Sequence, residues 1–139
     1  MEKSLVLIKP DAMLRGSAGA IIGRLQGQGL KLLALRMLHM DKALAERHYA
    51  IHAGKPFFED LIDYIISTPI VAAVFEAEGA VEKIRGIMGA TDPSKAAVGT
   101  IRADFGQDIQ QNATHASDSP ETAEKEIELF FKGDEIFSY

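Results

Sequence analysis

The sequence predicts a layered sandwich of the α/β or α+β class, folded as one domain over residues 1–139. Three observations carry this. The chain has 139 residues, and a domain takes roughly 100–200. Two apolar runs of strand length, Leu5–Ile8 and Ile70–Phe75, are set off by Lys9-Pro10-Asp11 and by Pro69. Between and after them lie segments that read as helices. Strands separated by helices in one small domain bury their apolar faces against each other, which gives the sandwich.

The elements follow in order. Leu5–Ile8 is short, apolar and stopped by a proline, which fits a buried strand. Ser17 caps a helix carrying Ile21, Ile22 and Leu25, ending near Gly27-Gln28-Gly29. Leu30–Met40 reads as helix or strand, because its leucines suit either. Asp41 caps a helix running to about His52. Phe57–Ile66 is the next helix, ended by Ser67-Thr68-Pro69. Ile70–Phe75 is β-rich and follows a proline, so it reads as a strand. Gly79–Gly89 is a short helix. Ala90–Thr114 shows little periodicity. Loops of that length in compact domains are functional or disordered, and the polar Thr91, Arg102 and Asn112 point to function. Ser119-Pro120 opens the last helix, with proline where its missing N–H costs nothing, and Gly133 ends it.

Composition narrows the function classes. Apolar residues make up 47% of the chain, enough for a core that buries on the order of two-thirds of the unfolded surface without staples. There is no cysteine, so no disulfide, which fits a reducing compartment. The net charge is -5, from 20 acidic and 15 basic side chains. Proteins that grip nucleic-acid backbone are basic overall, so an anionic ligand here needs a local cationic cluster. No apolar run is long enough for a signal-peptide core or a membrane span. The expectation is a soluble cytoplasmic protein.

The chain has no G-x-x-x-x-G-K-[ST] loop, and no G-x-G-x-x-G follows a strand. A phosphate site must therefore be built from side chains. The richest segment is Asn112-Ala113-Thr114-His115-Ala116-Ser117-Asp118-Ser119. It sets an amide, an imidazole, hydroxyls and a carboxylate just before a helix start, where anions are favoured. His115 there suits a nucleophile, a general base or a metal ligand. The plain alternative is a polar loop before an ordinary Ser-Pro cap. His48 and His52 stand at i and i+4 and would share a helix face. That spacing suits zinc, but no H-E-x-x-H pattern or third ligand accompanies it, so a phosphate contact for His52 is the better expectation.

The octet resembles the N-x-x-H-G-S-D active-site signature of the nucleoside diphosphate kinases, with Ala116 in place of the glycine. Further segments fall in that family's order over nearly the whole chain: Lys9-Pro10-Asp11, Arg15-Gly16, His48–His52 with Lys55–Phe58, Gly89–Pro93, Gly99–Arg102 and Ala123–Glu126. The resemblance implies a ferredoxin-like sandwich, a four-stranded antiparallel sheet covered by helices. It implies ping-pong transfer of the terminal phosphoryl group from a nucleoside triphosphate to a nucleoside diphosphate. His115 would accept the group on Nδ1, with broad base and sugar specificity. By the same resemblance Lys9 and Asn112 contact the sugar hydroxyls and the travelling phosphate. Arg85, Thr91 and Arg102 hold phosphates, Tyr49 and His52 lie near the transferred group, and Phe57 stacks on the base. Mg2+ arrives with the nucleotide, helped by Asp118 through water, so no direct protein ligand is expected. The resemblance also implies a homo-oligomer built from dimers, tetramer or hexamer; the ending at Tyr139 favours the tetramer.

Glu126 stands out without the family. With Pro120 first in the helix, Ala123, Ile127 and Phe130 form an apolar stripe, and Glu126 lies on it. A buried carboxylate costs several kcal/mol unless paired. The expected partner is His115, directly or through a neighbouring hydroxyl; the plain alternative is that Glu126 sits at the stripe's edge and reaches solvent. Two rivals stand beside the enzyme: a non-enzymatic binding module, since ferredoxin-like sheets also bind RNA, and a regulatory homologue, which only Ala116 encourages. The acidic balance and the lack of RNP-type aromatics disfavour the first.

Overall fold

A computed structural model describes all residues, 1–139. Its centre is a four-stranded sheet of β1 (Glu2–Ile8), β2 (Lys31–Leu38), β3 (Ile70–Ala77) and β4 (Thr114–Ala116) in the order β2-β3-β1-β4. Each neighbouring pair is antiparallel. The helices are α1 (Pro10–Leu14), α2 (Ala18–Gly27), α3 (Lys42–His48), α4 (Phe58–Ile65), α5 (Ala80–Met88), α6 (Ile101–Phe105) and α7 (Pro120–Phe130). This is the antiparallel, helix-covered sheet of the ferredoxin-like class.

Both faces of the central strands β1 and β3 are buried, which is why β1 reads as continuous Leu-Val-Leu-Ile rather than alternating. Val6, Ile8, Ala73 and Phe75 pack under α2, α5 and α6 with Ile21, Leu25, Ile84, Met88 and Ile101. Leu5, Leu7, Ala72 and Val74 face the other way, onto Ala45, Tyr49, Ile62, Ile65, Ile127 and Phe130 of the α3, α4 and α7 layer. Successive residues serve opposite layers, as a pleated strand requires.

The structure settles or corrects several expectations. Leu30–Met40 is a strand, β2, with a register shift between Leu32 and Ala34. The helix capped by Asp41, whose Oδ1 accepts from the Leu44 N–H at 2.8 Å, stops at His48. Tyr49 breaks it, and a separate 3-10 turn covers Ala50–His52. His48 and His52 therefore share no helix face; His48 turns into the interior and His52 stays half-buried. Ser17 starts α2 in αR geometry without a capping bond. Ala90–Thr114 is not all loop, because it contains α6, capped by Thr100. Gly133 does not end the last helix. That helix stops at Phe130, where Phe131 turns extended, and Gly133 opens a short 3-10 turn instead.

Candidate active site

Lys9 follows β1 directly. His115 lies on β4, opposite Leu7 of β1, and not in a loop. Glu126 projects from α7, and His48 and Tyr49 come from the end of α3. The strand parity separates the neighbours of His115. Thr114 reaches Met88 Sδ of α5 at 2.8 Å and Ala116 packs in the same layer, so His115 points to the α3/α7 side. There its Nε2 lies 3.0 Å from both carboxylate oxygens of Glu126. Ser117 Oγ donates to Glu126 Oε1 at 2.6 Å.

Glu126 is 8% exposed. Burial pushes its carboxyl pKa up, but the hydrogen bonds from His115 and Ser117 outweigh this and hold it below the ordinary carboxylate value. An ionised carboxylate only accepts hydrogen bonds, so Nε2 must carry the ring proton and Nδ1 keeps the lone pair. The ring's orientation and tautomer are thus set by one acidic side chain on the apolar stripe.

His48 fills the space behind. Its ring stands edge-on to His115 (centroids 4.7 Å, 82°) and also contacts Tyr49 and Phe130. Burial first, then nearby His115, lowers its pKa to about 3, so it is neutral. Neither ring nitrogen has a hydrogen-bond partner, and its Nδ1 sits 3.7 Å from Glu126 Oε2. Burial, with help from Glu126, raises the Tyr49 hydroxyl to about 12.

Cations converge from the opposite side. Lys9 Nζ donates to Gln110 O at 2.7 Å and to Asn112 Oδ1 at 2.9 Å. Burial lowers its pKa to about 8, with Asp11 opposing and Arg102 adding to the shift. Arg102 donates to Gly89 O and Thr114 O, each at 3.0 Å. Burial, then the neighbouring Arg85, lowers it to about 10. None of Lys9, Arg85 and Arg102 is in an ion pair. Three cations outside any ion pair, Lys9 and Arg102 desolvated and Arg85 exposed, on a protein of net charge -5 make a place for a polyanion.

Asn112 and Thr91 are tied together, with Asn112 Nδ2 donating to Thr91 O at 3.0 Å. Between Asn112 and β4 the chain turns sharply at Ala113, the one non-glycine residue at positive φ (73°). Thr114 N–H donates to Asn112 O across it at 2.9 Å, a strained γ-turn. Asp11 holds that turn: its Oδ2 accepts from Ala113 N–H at 3.0 Å, and its other oxygen accepts from Tyr64. Ala116 keeps φ negative within β4, so the exchange of glycine for alanine meets no backbone barrier.

One cavity of about 590 Å³ collects Lys9, Tyr49, His52, Phe57, Arg85, Thr91, Arg102, Asn112, His115, Asp118 and Glu126. Every residue singled out from the sequence lines it. Phe57 is 46% exposed and its ring lies 5.4 Å from that of His52. Sequence reasoning missed His48 as a neighbour of His115, gave no part to Asp11, and expected a hydroxyl beside Glu126 without assigning it to Ser117. The i, i+4 spacing misled for His48, since it holds only inside an unbroken helix. Ser117 was visible inside the octet, but its contact with Glu126 spans a turn that no periodicity encodes.

A cationic cleft facing a carboxylate-locked histidine defines a class of site, one built to hold phosphate against an imidazole nucleophile. The comparisons narrow it. The family model for nucleoside diphosphate kinase matches residues 2–136. A nucleoside diphosphate kinase of Dehalococcoides mccartyi is 57% identical over 139 residues, covering 100% of this chain and 98% of that one. One of Pyrococcus furiosus is 54% identical over 142 residues, covering 100% and 88%. Among solved structures, the Aquifex aeolicus nucleoside diphosphate kinase superposes with TM-score 0.95 at 43% identity, covering 98% of this chain and 99% of that one. The Halobacterium salinarum enzyme in complex with CDP gives 0.96 at 43%, covering 99% and 92%. The chain belongs to the nucleoside diphosphate kinase family, and the protein is a phosphotransferase. No helix is long and apolar enough to cross a membrane.

Proposed function

We propose that this chain carries the terminal phosphoryl group of nucleoside triphosphates to nucleoside diphosphates through a phosphohistidine on His115 Nδ1. The observation that carries it is the Nε2–Glu126 contact at 3.0 Å, which leaves the lone pair on the other ring nitrogen. Nδ1 attacks the terminal phosphorus, the P–N bond forms as the bond to the bridging oxygen breaks, and the nucleoside diphosphate leaves. A second diphosphate then attacks the same phosphorus and frees Nδ1. Donor and acceptor use the cavity in turn, so their charges never meet.

Lys9, Arg85, Arg102, Thr91 and Asn112 hold the phosphates and the sugar hydroxyls, since Arg forks and a desolvated ammonium match phosphate oxygens. Glu126 and His48 position His115. Tyr49 and His52 border the transferred group. Phe57 stacks on the base, and stacking accepts every base, which supports broad base and sugar specificity. Mg2+ would come bound to the nucleotide, with Asp118 near it through water. The cavity offers the exposed Asp118 carboxylate but no cage of oxygen ligands, which fits an ion held by substrate phosphates and water. When bound it neutralises developing charge on the phosphates.

The whole of 1–139 acts as one domain, and we place it in the cytoplasm. Copies associate through dimers into a tetramer or hexamer. The support is β2, an edge strand carrying exposed Leu35 and Met37 that asks for cover. The decisive test is intact mass after incubation with Mg-ATP alone. One acid-labile phosphoryl group is expected, absent in His115→Ala. Label surviving that substitution, or found on Ser117 or Ser119, refutes the mechanism.

A further inference from the structure

Positioning of His115 leaves the polar capacity of His48 unused. A neutral imidazole has one N–H and one lone pair, and His48 finds a partner for neither, although its side chain is only 1% exposed. Buried polar atoms without partners are rare and mark a missing one. The orphaned Nδ1 lies 3.7 Å from Glu126 Oε2, which lies 3.0 Å from His115 Nε2. One ligand atom from each of the three residues falls within 4.8 Å of the others.

We propose that His48, Glu126 and His115 form a binding site for a zinc-class divalent cation, and that filling it shuts off the nucleophile. Zinc takes nitrogen at ~2.0–2.1 Å and carboxylate oxygen at ~2.0–2.2 Å in tetrahedral array, which sets ligand atoms roughly 3.3–3.5 Å apart. The two separations to Glu126, 3.7 and 3.0 Å, lie a few tenths of an ångström from that spacing, and the two imidazoles, within 4.8 Å of each other, close onto the ion by a small turn of the His48 ring. Two imidazoles and one carboxylate leave the fourth position open to water. Mg2+ prefers an all-oxygen octahedron, so the site is separate in kind from the nucleotide-borne ion. Ser117 holds Glu126 Oε1, and Oε2, which accepts only from the His115 Nε2–H, becomes available to a metal that displaces that proton.

The inhibitory step follows from the tautomer, and this part rests on Nδ1 being the atom phosphorylated. A metal on Nε2 takes that atom's lone pair. The Nε2 proton passes to solvent, another is taken up at Nδ1, and the ring stays neutral. Nδ1 then carries hydrogen and has no electron pair for phosphorus. Removing the metal reverses both changes.

The test titrates the full-length protein with ZnCl2 in a non-chelating buffer without nucleotide, by calorimetry and by nitrogen-15 NMR of the imidazoles. Saturable binding of one Zn2+ per chain is expected, with the His115 proton moving from Nε2 to Nδ1. His48→Asn should weaken it at least about tenfold, the loss seen even for partners outside the ligand set. His39→Asn and His52→Asn should retain it. Zn2+ should block phosphorylation by Mg-ATP, and a chelator should restore it. Since His48 is internal, a thermal melt checks its variant, and Glu126→Gln, which keeps the shape, must weaken Zn2+ as well. No saturable binding, equal affinity in both variants, or an Nε2–H persisting at saturation overturns the proposal. A chain that binds Zn2+ with the tautomer shift yet never accepts phosphate from Mg-ATP refutes the phosphohistidine and leaves the metal site standing.

Discussion

Glu126→Gln separates charge from shape. Oε1 of Glu126 accepts from Ser117 at 2.6 Å and from His115 at 3.0 Å, whereas Oε2 meets only His115, at 3.0 Å. A glutamine oxygen can take the place of Oε1 and keep the Ser117 bond. Its NH2 then stands where Oε2 met the Nε2–H, donor against donor. A hydrogen bond to a charged group is worth about 1.5–3 kcal/mol and a neutral one about 0.5–1.5, so the resting site loses on the order of 1 kcal/mol. The loss grows as Nδ1 attacks, because positive charge then spreads over the ring beside the missing carboxylate. Removing one such electrostatic partner costs ~2.7–4 kcal/mol at the transition state. With each ~1.36 kcal/mol giving a factor of ten, phosphorylation should slow by roughly 10²–10³-fold. The chain has no tryptophan, so the assay is rapid-quench transfer of label from Mg-ATP in a single turnover. Equilibrium nucleotide binding, measured by calorimetry, should stay unchanged. A Glu126→Gln chain phosphorylated as fast as the parent would show that the contact is only structural.

Three further outcomes follow. Lys9 has a pKa of about 8 in the fold against 10.5 ordinarily; the unfolded chain holds more protons between those values, so stability should rise with pH across that window. Phosphate should restore the proton to Lys9, so nucleotide binding near pH 8–9 should take up protons, read by calorimetry in buffers of different ionisation enthalpy and lost in Lys9→Met. Phe57→Ala should weaken purine and pyrimidine nucleotides alike by ~1–3 kcal/mol; a loss confined to one base, measured across four diphosphates, would mean edge reading instead. Ala116→Gly should leave turnover nearly unchanged and lower stability by about 0.5–1 kcal/mol in a melt, the cost of glycine within a strand; an inert parent revived by that change would mark a regulatory homologue.

How far the sequence spoke depends on element length. β1 and β3 were legible because both lie in the middle of the sheet, buried on both faces, and so show unbroken apolar runs. β2 was ambiguous because it is an edge strand whose Leu35 and Met37 remain exposed, so its leucines follow no inward-outward rule. β4 was invisible. Thr-His-Ala is too short to show a period, and its pairing partner Leu7 lies more than a hundred residues away in the chain. α6 was hidden the same way, five residues capped by Thr100 inside a polar stretch. The cavity's residues were named from motif resemblance and the Glu126 contact from stripe geometry. The place of His48 was not legible, because nothing local foretells that Tyr49 ends α3 and sends the two histidines apart.

The shortness of β4 has a consequence for how this segment can change. Its register against β1 is pinned at both ends, by Lys9 N–H to Ala113 O at 2.9 Å and by Ser117 N–H to Leu5 O at 3.2 Å. Between those pins stand three residues, and only the middle one faces Glu126. Inserting or deleting a single residue there would swap odd for even: the imidazole would turn into the apolar layer beside Met88, and a threonine or alanine would meet the carboxylate. Substitution at Thr114 or Ala116 leaves the imidazole on its side of the sheet, whereas a change of length by one would remove the reacting atom from the cavity altogether.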